Sequence, residues 1–251
     1  MKQTPHLPSF FRLLHVEDID STNDEATRQA RDGATEGLLV WADRQSLGRG
    51  RRGRPWISPP GNLYFSLLLR PKCRPAVAAQ LSFAAALAVG ETIAPILLDR
   101  DTVRYKWPND VMVAGRKISG ILLESQATAD GMIEWLVVGI GVNLISFPSK
   151  TEYPATSLVA EGAGASSPEA LLEAIAARFF DWRGRWTTEG FAPLREKWLA
   201  LAQGLGSDIR VRLDRSETTG RFVTLALDGA LVLENSSGPQ HISAGAVLPA
   251  S

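Results

Sequence analysis

The sequence predicts an α+β fold: a mixed sheet with helices packed on it over residues 1–204, then a small five-stranded SH3-like β-barrel over 205–251. Three observations carry that reading. Through the first four-fifths of the chain, short apolar runs of strand length alternate with longer stretches of helical period. Residues 76–98, AVAAQLSFAAALAVGETIAPILL, form the longest apolar stretch and read as one helix lying across a sheet, with Gln80, Ser82 and Glu91 as its polar interruptions. From Gly206 the texture changes to short alternating runs cut by turns at DRSE, DG and SSGP.

Composition sets bounds on function. The 251 residues allow one large domain with a small appendage, and 45% hydrophobic with 22% charged residues is ordinary for a globular chain. Lys+Arg and Asp+Glu balance at 27 each, which disfavours broad nucleic-acid or membrane-surface binding. Cys73 is the single cysteine, so neither an intramolecular disulfide nor a cysteine-based metal site can form. The opening MKQTPHLPSFF has prolines where a signal peptide needs an apolar helix, and no stretch reads as a bilayer span. These features predict a cytoplasmic enzyme or binding protein.

Taken in order, FFRLLHVEDID reads as a strand, followed by a helix with Ser21, Thr22 and Asn23 at its start and Gly33 after its end. Helix capping explains those three polar residues, and so does a polar ligand held at the helix start. EGLLVWADRQ is a buried strand that delivers Gln45 to the loop after it, and NLYFSLLLR is another strand beyond the Pro59-Pro60-Gly61 turn. In VRYKWPNDVMVAGRKISGILLES, two strands flank a PND turn, and Gly115 and Arg116 form the tip of a hairpin. Lys117 then opens a strand, where a lysine fits a solvent-facing edge as well as a site, and Asp110 could reach it across the hairpin. MIEWLVVGIGVNLISFP is a strand whose Gly139 and Gly141 share one face, opening a slot for a flat ligand, with Asn143 at its end. Residues 150–167 read as a loop, and SPEALLEAIAARFFDWRGRW and FAPLREKWLALA as structural helices whose tryptophans are filler.

The densest chemistry lies in QSLGRGRRGRPW. Five arginines (Arg44, Arg49, Arg51, Arg52 and Arg54) fall within eleven residues, interrupted by Gly48, Gly50 and Gly53 and by no acid. Unpaired guanidinium groups cannot be core, glycine lets backbone approach a ligand, and arginine forks match phosphate or carboxylate oxygens. The run predicts a flexible loop that closes over a small anion. A solvated loop or a nucleic-acid patch remains the competing reading, although such patches interleave lysine and stacking aromatics.

GRGRRGRPW, KWPND, GRKISGILLE and VGIGVN, in this order and spacing, resemble the signature blocks of the biotin protein ligases, and the likeness covers nearly the whole chain. It implies a catalytic domain of the biotin/lipoate ligase (class II synthetase-like) type, in the short class without an N-terminal DNA-binding domain. It implies that biotin and ATP, supplied with Mg²⁺, form biotinyl-5′-AMP, and that biotin then passes to a lysine of a biotin carboxyl carrier protein, a subunit of acetyl-CoA carboxylase. No permanently bound cofactor, DNA or membrane is expected, the Mg²⁺ ligands are not legible, and a homodimer through a sheet edge is left open.

By the same resemblance, Lys117 bridges the biotin carboxylate and the α-phosphate, Arg51 acts with it, and Asp110 helps to deprotonate the carrier lysine. Ser21, Thr22, Asn23, Gln45, Gly48, Arg49, Gly50, Arg51 and Lys117 are expected to hold biotin, with Gly120, Gly139 and Gly141 making room for its bicycle. Arg49, Arg51, Arg54, Trp56, Asn109, Lys117 and Asn143 are expected on the nucleotide side. Two departures stand out: Leu47, where many members have a small residue, and Pro55, where a basic or polar one is usual. The rivals are a lipoate ligase or octanoyltransferase of the same architecture, the latter often using a nucleophilic cysteine, and a nucleic-acid-binding module.

Overall fold

The computed structural model describes residues 4–164 and 166–248. Residues 1–3, 165 and 249–251, which include the outer ends of both expected domains and one position of the expected 150–167 loop, lie outside the described residues. The chain opens with β1 (Arg12–Ile19), α1 (Thr22–Arg31), β2 (Leu38–Gln45) and β3 (Leu63–Leu69). Next come α2 (Pro75–Ala78), α3 (Leu81–Ile93), β4 (Val103–Lys106), β5 (Asp110–Val113), β6 (Arg116–Ala127) and β7 (Ile133–Val142). After α4 (Pro168–Glu189) and α5 (Ala192–Leu199) follow β8 (Asp208–Arg212), β9 (Glu217–Leu225), β10 (Leu231–Asn235), β11 (Gly238–Ile242) and β12 (Ala246–Val247). The first seven strands make one mixed sheet in the order β1-β2-β3-β7-β6-β5-β4, parallel only between β1 and β2.

Strand alternation decides which side of that sheet carries chemistry. Leu63, Phe65, Leu67 and Leu69 of β3 and Leu136, Val138, Ile140 and Val142 of β7 belong to the main core with α3 and α4. Their intervening neighbours Leu68 and Val137 instead pack with Val40, Trp135 and with Ala26 and Ala30 of α1. Ser66, Gly139 and Gly141 share that second face, so the α1 side is polar and glycine-floored.

α3 is buried almost all round, as a helix sandwiched between a sheet and two other helices must be. The expected single helix over 76–98 is divided where the backbone at Ala79–Gln80, still right-handed helical, tightens to i→i−3 bonds, and α3 ends at Ile93. The Gln80 side chain there donates to the Leu227 carbonyl at 3.0 Å and accepts from Trp186 Nε1 at 2.8 Å. Contrary to the sequence expectation, Pro75–Ile96 is long and apolar enough to span a membrane, but 78% of that apolar window is buried inside the fold, as a core helix requires.

The last five strands form an antiparallel sheet in the order β11-β10-β9-β8-β12. The stretch read as one strand, QHISAGAVL, is two, parted by a bend at residues 243–245 that lets β12 return to β8. Val211, Phe222, Leu225 and Leu231 of this unit join Trp107 and α3 in one continuous core, and Trp107 Nε1 donates to the Gly229 carbonyl at 3.1 Å. At the β5–β6 hairpin the tip is Ala114–Gly115 (φ 48 and 75), one residue earlier than expected. Two successive positive φ values suit the twist of a two-residue hairpin, so Arg116 is already on the strand.

Candidate active site

A cavity of about 330 Å³ opens on the α1 face, bounded by the start of α1, the Arg/Gly loop, the β5–β6 hairpin, residues 148–155 and the bend before β12. Every residue that the sequence nominated lines it except Gly48. A Cβ at Gly48 would lie 2.5 Å from the Trp56 carbonyl oxygen and 2.6 Å from Ser58 Oγ, so this glycine lets the loop fold back on itself.

One end of the cavity is a neutral and anionic relay. Ser21 caps α1, accepting from the Asp24 amide at 3.4 Å. Gln45 Oε1 accepts from the Thr22 amide at 2.8 Å and from Thr22 Oγ1 at 3.1 Å, while Gln45 Nε2 donates to Ser58 Oγ at 2.9 Å. Asn23 donates to Glu124 at 2.7 Å and accepts from Ser66 Oγ at 2.6 Å. A Cβ at Gly139 would come within 2.1 Å of Asn23 Oδ1, so the room at Gly139 is taken by Asn23 and is not left for a ligand.

The other end is cationic, and a β-bulge builds it. Met112 pairs with Lys117, yet Val111 pairs with Ser119, leaving Ile118 as an extra residue on β6. Lys117 and Gly120 are three apart, so a regular strand would set them on opposite faces. The extra residue brings them to one face, and Lys117 Nζ lies 3.1 Å from where a Gly120 Cβ would be. Lys117 is not at a free edge either: its amide donates to the Pro154 carbonyl at 2.8 Å and its carbonyl accepts from the Thr156 amide at 2.9 Å. Its ammonium is 2.5 Å from Asp110 Oδ1.

The arginines of the loop are not equivalent. Arg44 pairs with Asp18, Arg49 with Asp24 and Glu124, Arg52 with Asp214 and Arg54 with Glu152. The Asp24 hydrogen bonds, opposed by burial, raise the pKa of Arg49 above the ordinary arginine value. Among the described residues, Arg51 alone of the five reaches no carboxylate; it donates to the Gly245 carbonyl at 3.0 Å and to Asn109 Oδ1 at 3.4 Å. Burial lowers its pKa, with Asp110 opposing. Asn109 in turn donates to the Ile121 carbonyl at 2.5 Å.

Trp56 lies directly on the glycine floor. A Cβ at Gly141 would be 2.6 Å from the indole, and one at Gly120 would be 3.1 Å from it. The space over Gly120 and Gly141, expected to be left for the bicycle, is therefore taken by the Trp56 indole, with Lys117 Nζ 5.4 Å from the ring centre. Of the two departures, Leu47 is exposed, while Pro55 bridges to Arg49 and closes the base of the loop. Asn143 lines the cavity but spends its amide on the Thr156 carbonyl at 2.9 Å.

Sequence reasoning missed Lys106 and Tyr153. Lys106 lies two residues after the exposed Arg104 yet is 5% exposed, with Nζ 3.5 Å from the centre of the Tyr153 ring. Burial pulls its pKa down to about 8, against the charge of Asp110. Cys73 is absent from the cavity lining, and burial pushes its thiol pKa up, away from nucleophilic character. Among the described residues no group of three His, Cys, Asp or Glu could hold a metal ion.

Comparison with known proteins agrees with this geometry. Residues 16–143 match the biotin/lipoate A/B protein ligase family, and residues 204–248 match the biotin protein ligase C-terminal domain. The chain is 41% identical to a biotin–[acetyl-CoA-carboxylase] ligase of Paracoccus denitrificans, over 91% of this chain and 96% of that one. A biotin protein ligase of Aquifex aeolicus in complex with biotin and ATP superposes with a TM-score of 0.80 at 29% identity, covering 94% of this chain and 97% of the other. One from Leishmania major with biotinyl-5-AMP gives 0.64 at 26% identity, covering 95% and 99%. The chain belongs to the biotin protein ligases of the biotin/lipoate A/B protein ligase family.

Proposed function

We propose that the cavity activates biotin with ATP and then hands it to a carrier lysine, the whole being a biotin–[acetyl-CoA carboxylase] ligase reaction. The observation that carries this reading is the convergence of Lys117, Arg51 and Asp110 at the cationic end of the cavity. The biotin head lies toward Ser21, Thr22, Asn23 and Gln45, against Trp56. Its carboxylate lies at Lys117, where one ammonium offsets two anions that otherwise repel. A carboxylate oxygen forms a bond to the α-phosphorus, the bond from that phosphorus to the bridging oxygen breaks, and pyrophosphate leaves with the electron pair. Arg51, buried and committed to no acid, faces the charge that develops on the phosphoryl oxygens.

In the second step the carrier lysine attacks the acyl carbon, AMP departs and the amine proton passes to Asp110. That carboxylate is held by Lys117 until then. Arg54, Asn109 and Asn143 border the nucleotide, and Arg49 positions the biotin end through Asp24 and Glu124. Mg²⁺ arrives as part of the nucleotide substrate, held by its phosphates. The Paracoccus relative is named for acetyl-CoA carboxylase, and we carry that partner, through its biotin carboxyl carrier, to this chain. We also place the division between catalytic and barrel units at residue 204 and the protein in the cytoplasm. Incubation with biotin, MgATP and a carrier domain should add the mass of one biotin to the carrier. An unmodified carrier, with lipoate taken up in its place, would overturn the reading.

A further inference from the structure

Four residues lie side by side on one rung of the main sheet: Gly141 pairs with Gly120, Gly120 with Asp110, and Asp110 with Lys106. Directly opposed residues of antiparallel strands share a face, so the rung runs from the slot floor out to Lys106. Strands are spaced about 4.8 Å, which puts the Lys106 backbone about 10 Å from the floor at Gly120. A triphosphate whose α-phosphorus sits at Lys117 extends over that span.

Among the described residues, Lys106 is also the cation in this cavity that has neither a carboxylate partner nor a hydrogen-bond acceptor. Lys117 has Asp110, Arg54 has Glu152, and Arg51 has two neutral oxygens. Lys106 is buried against the face of the Tyr153 ring, with no hydrogen-bond acceptor and no carboxylate at ion-pair distance among the described residues. A buried ammonium that keeps only a ring face leaves its donors unused, which is costly unless an anion arrives. The groups facing it are Asp110, Lys117, Glu152 and Arg54, and Glu152 is shared further with Arg212. Cations therefore outnumber carboxylates there, and the excess lies at the outer end of the rung.

We propose that Lys106 binds the β- and γ-phosphoryl oxygens of the nucleotide and holds the pyrophosphate as it leaves. This rests on the reading that places Lys117 at the biotin carboxylate and the α-phosphate. No proton need move: the electron pair of the broken bond stays on pyrophosphate, and the ammonium offsets the charge gained there.

The test is biotin-dependent ATP–pyrophosphate exchange by the full chain and its Lys106→Met and Lys106→Arg variants, together with inhibition by inorganic pyrophosphate and by AMP. Loss of one charge-assisted contact predicts that Lys106→Met raises KM for MgATP and Ki for pyrophosphate about tenfold or more. Ki for AMP, KM for biotin and transfer from added biotinyl-AMP to the carrier should stay within about twofold, and Lys106→Arg should recover part of the pyrophosphate affinity. If Lys106→Met loses biotin binding as well, Lys106→Gln replaces it. Unchanged pyrophosphate affinity with intact exchange, or weakening of AMP and pyrophosphate alike, would overturn the assignment. Absence of exchange in the parent chain would instead sink the reading of the site, and this inference with it.

Discussion

Asn23 fills the space that Gly139 leaves in the sheet: a Cβ at position 139 would lie 2.1 Å from Asn23 Oδ1. The same amide ties Ser66 to Glu124 and so to Arg49, which makes Gly139 the backstop of the polar relay. Gly139→Ala should therefore cost about 2 kcal/mol of stability through overpacking and a broken hydrogen bond. It should weaken biotin more than MgATP. Urea unfolding with calorimetric titration of both ligands checks this, and a variant as stable and as tight as the parent would remove Asn23 from the account.

Lys117→Ala should abolish adenylate formation, by at least about 10³-fold, since it removes the one ammonium at the meeting point of two anions. The fold should persist, because the strand start is held by the main-chain bonds to Pro154 and Thr156. Pyrophosphate exchange reads the chemistry and circular dichroism the fold. Near-normal exchange would exclude Lys117 from the mechanism.

Arg51→Ala should let biotinyl-AMP escape. Its guanidinium spans from Asn109 to the barrel at Gly245, closing that side of the cavity. Rapid filtration after single-turnover synthesis would show the intermediate leaving at least about tenfold faster. A longer-lived bound intermediate contradicts the assignment.

Lys106 should make stability depend on alkaline pH. Its folded pKa of about 8 lies below the ordinary value of 10.5, so between those values the unfolded chain binds a proton that the folded chain does not. Stability contributed by this group therefore rises with pH across that window. The penalty for the buried charge, of the order of 3 kcal/mol, is fully present below it. Lys106→Met should be more stable than the parent at pH 7, with the gap closing toward pH 10. Parallel pH–stability curves for the two proteins would refute this.

Much of this was legible beforehand, and what was not has physical causes. Strand alternation and capping chemistry gave the sheet, α1 and the barrel, because those signals are local. Asp110 and Lys117 were legible as a pair because a hairpin joins them. The bulge at Ile118 was not, since one extra residue leaves no mark in composition. Nor were the arginine partners, because Asp24, Glu124, Glu152 and Asp214 come from four distant segments. The two glycines in VGIGVN were read as a slot for a flat ligand, but the groups that lie on them are the side chains of Asn23 and Trp56, which come from distant segments. The burial of Lys106 was not legible either, since Arg104, two residues earlier on the same strand, is exposed and nothing in the local pattern separates the two.

The main-chain oxygen of Gly245 that receives Arg51 makes the terminal barrel one wall of the reaction chamber. A protein cut off before β8 would lose that wall and would also strip cover from Trp107 and α3, whose core the barrel shares. Grafting a foreign barrel from a relative should therefore require both a carbonyl at the place of Gly245 and an apolar face that fits Trp107 and α3.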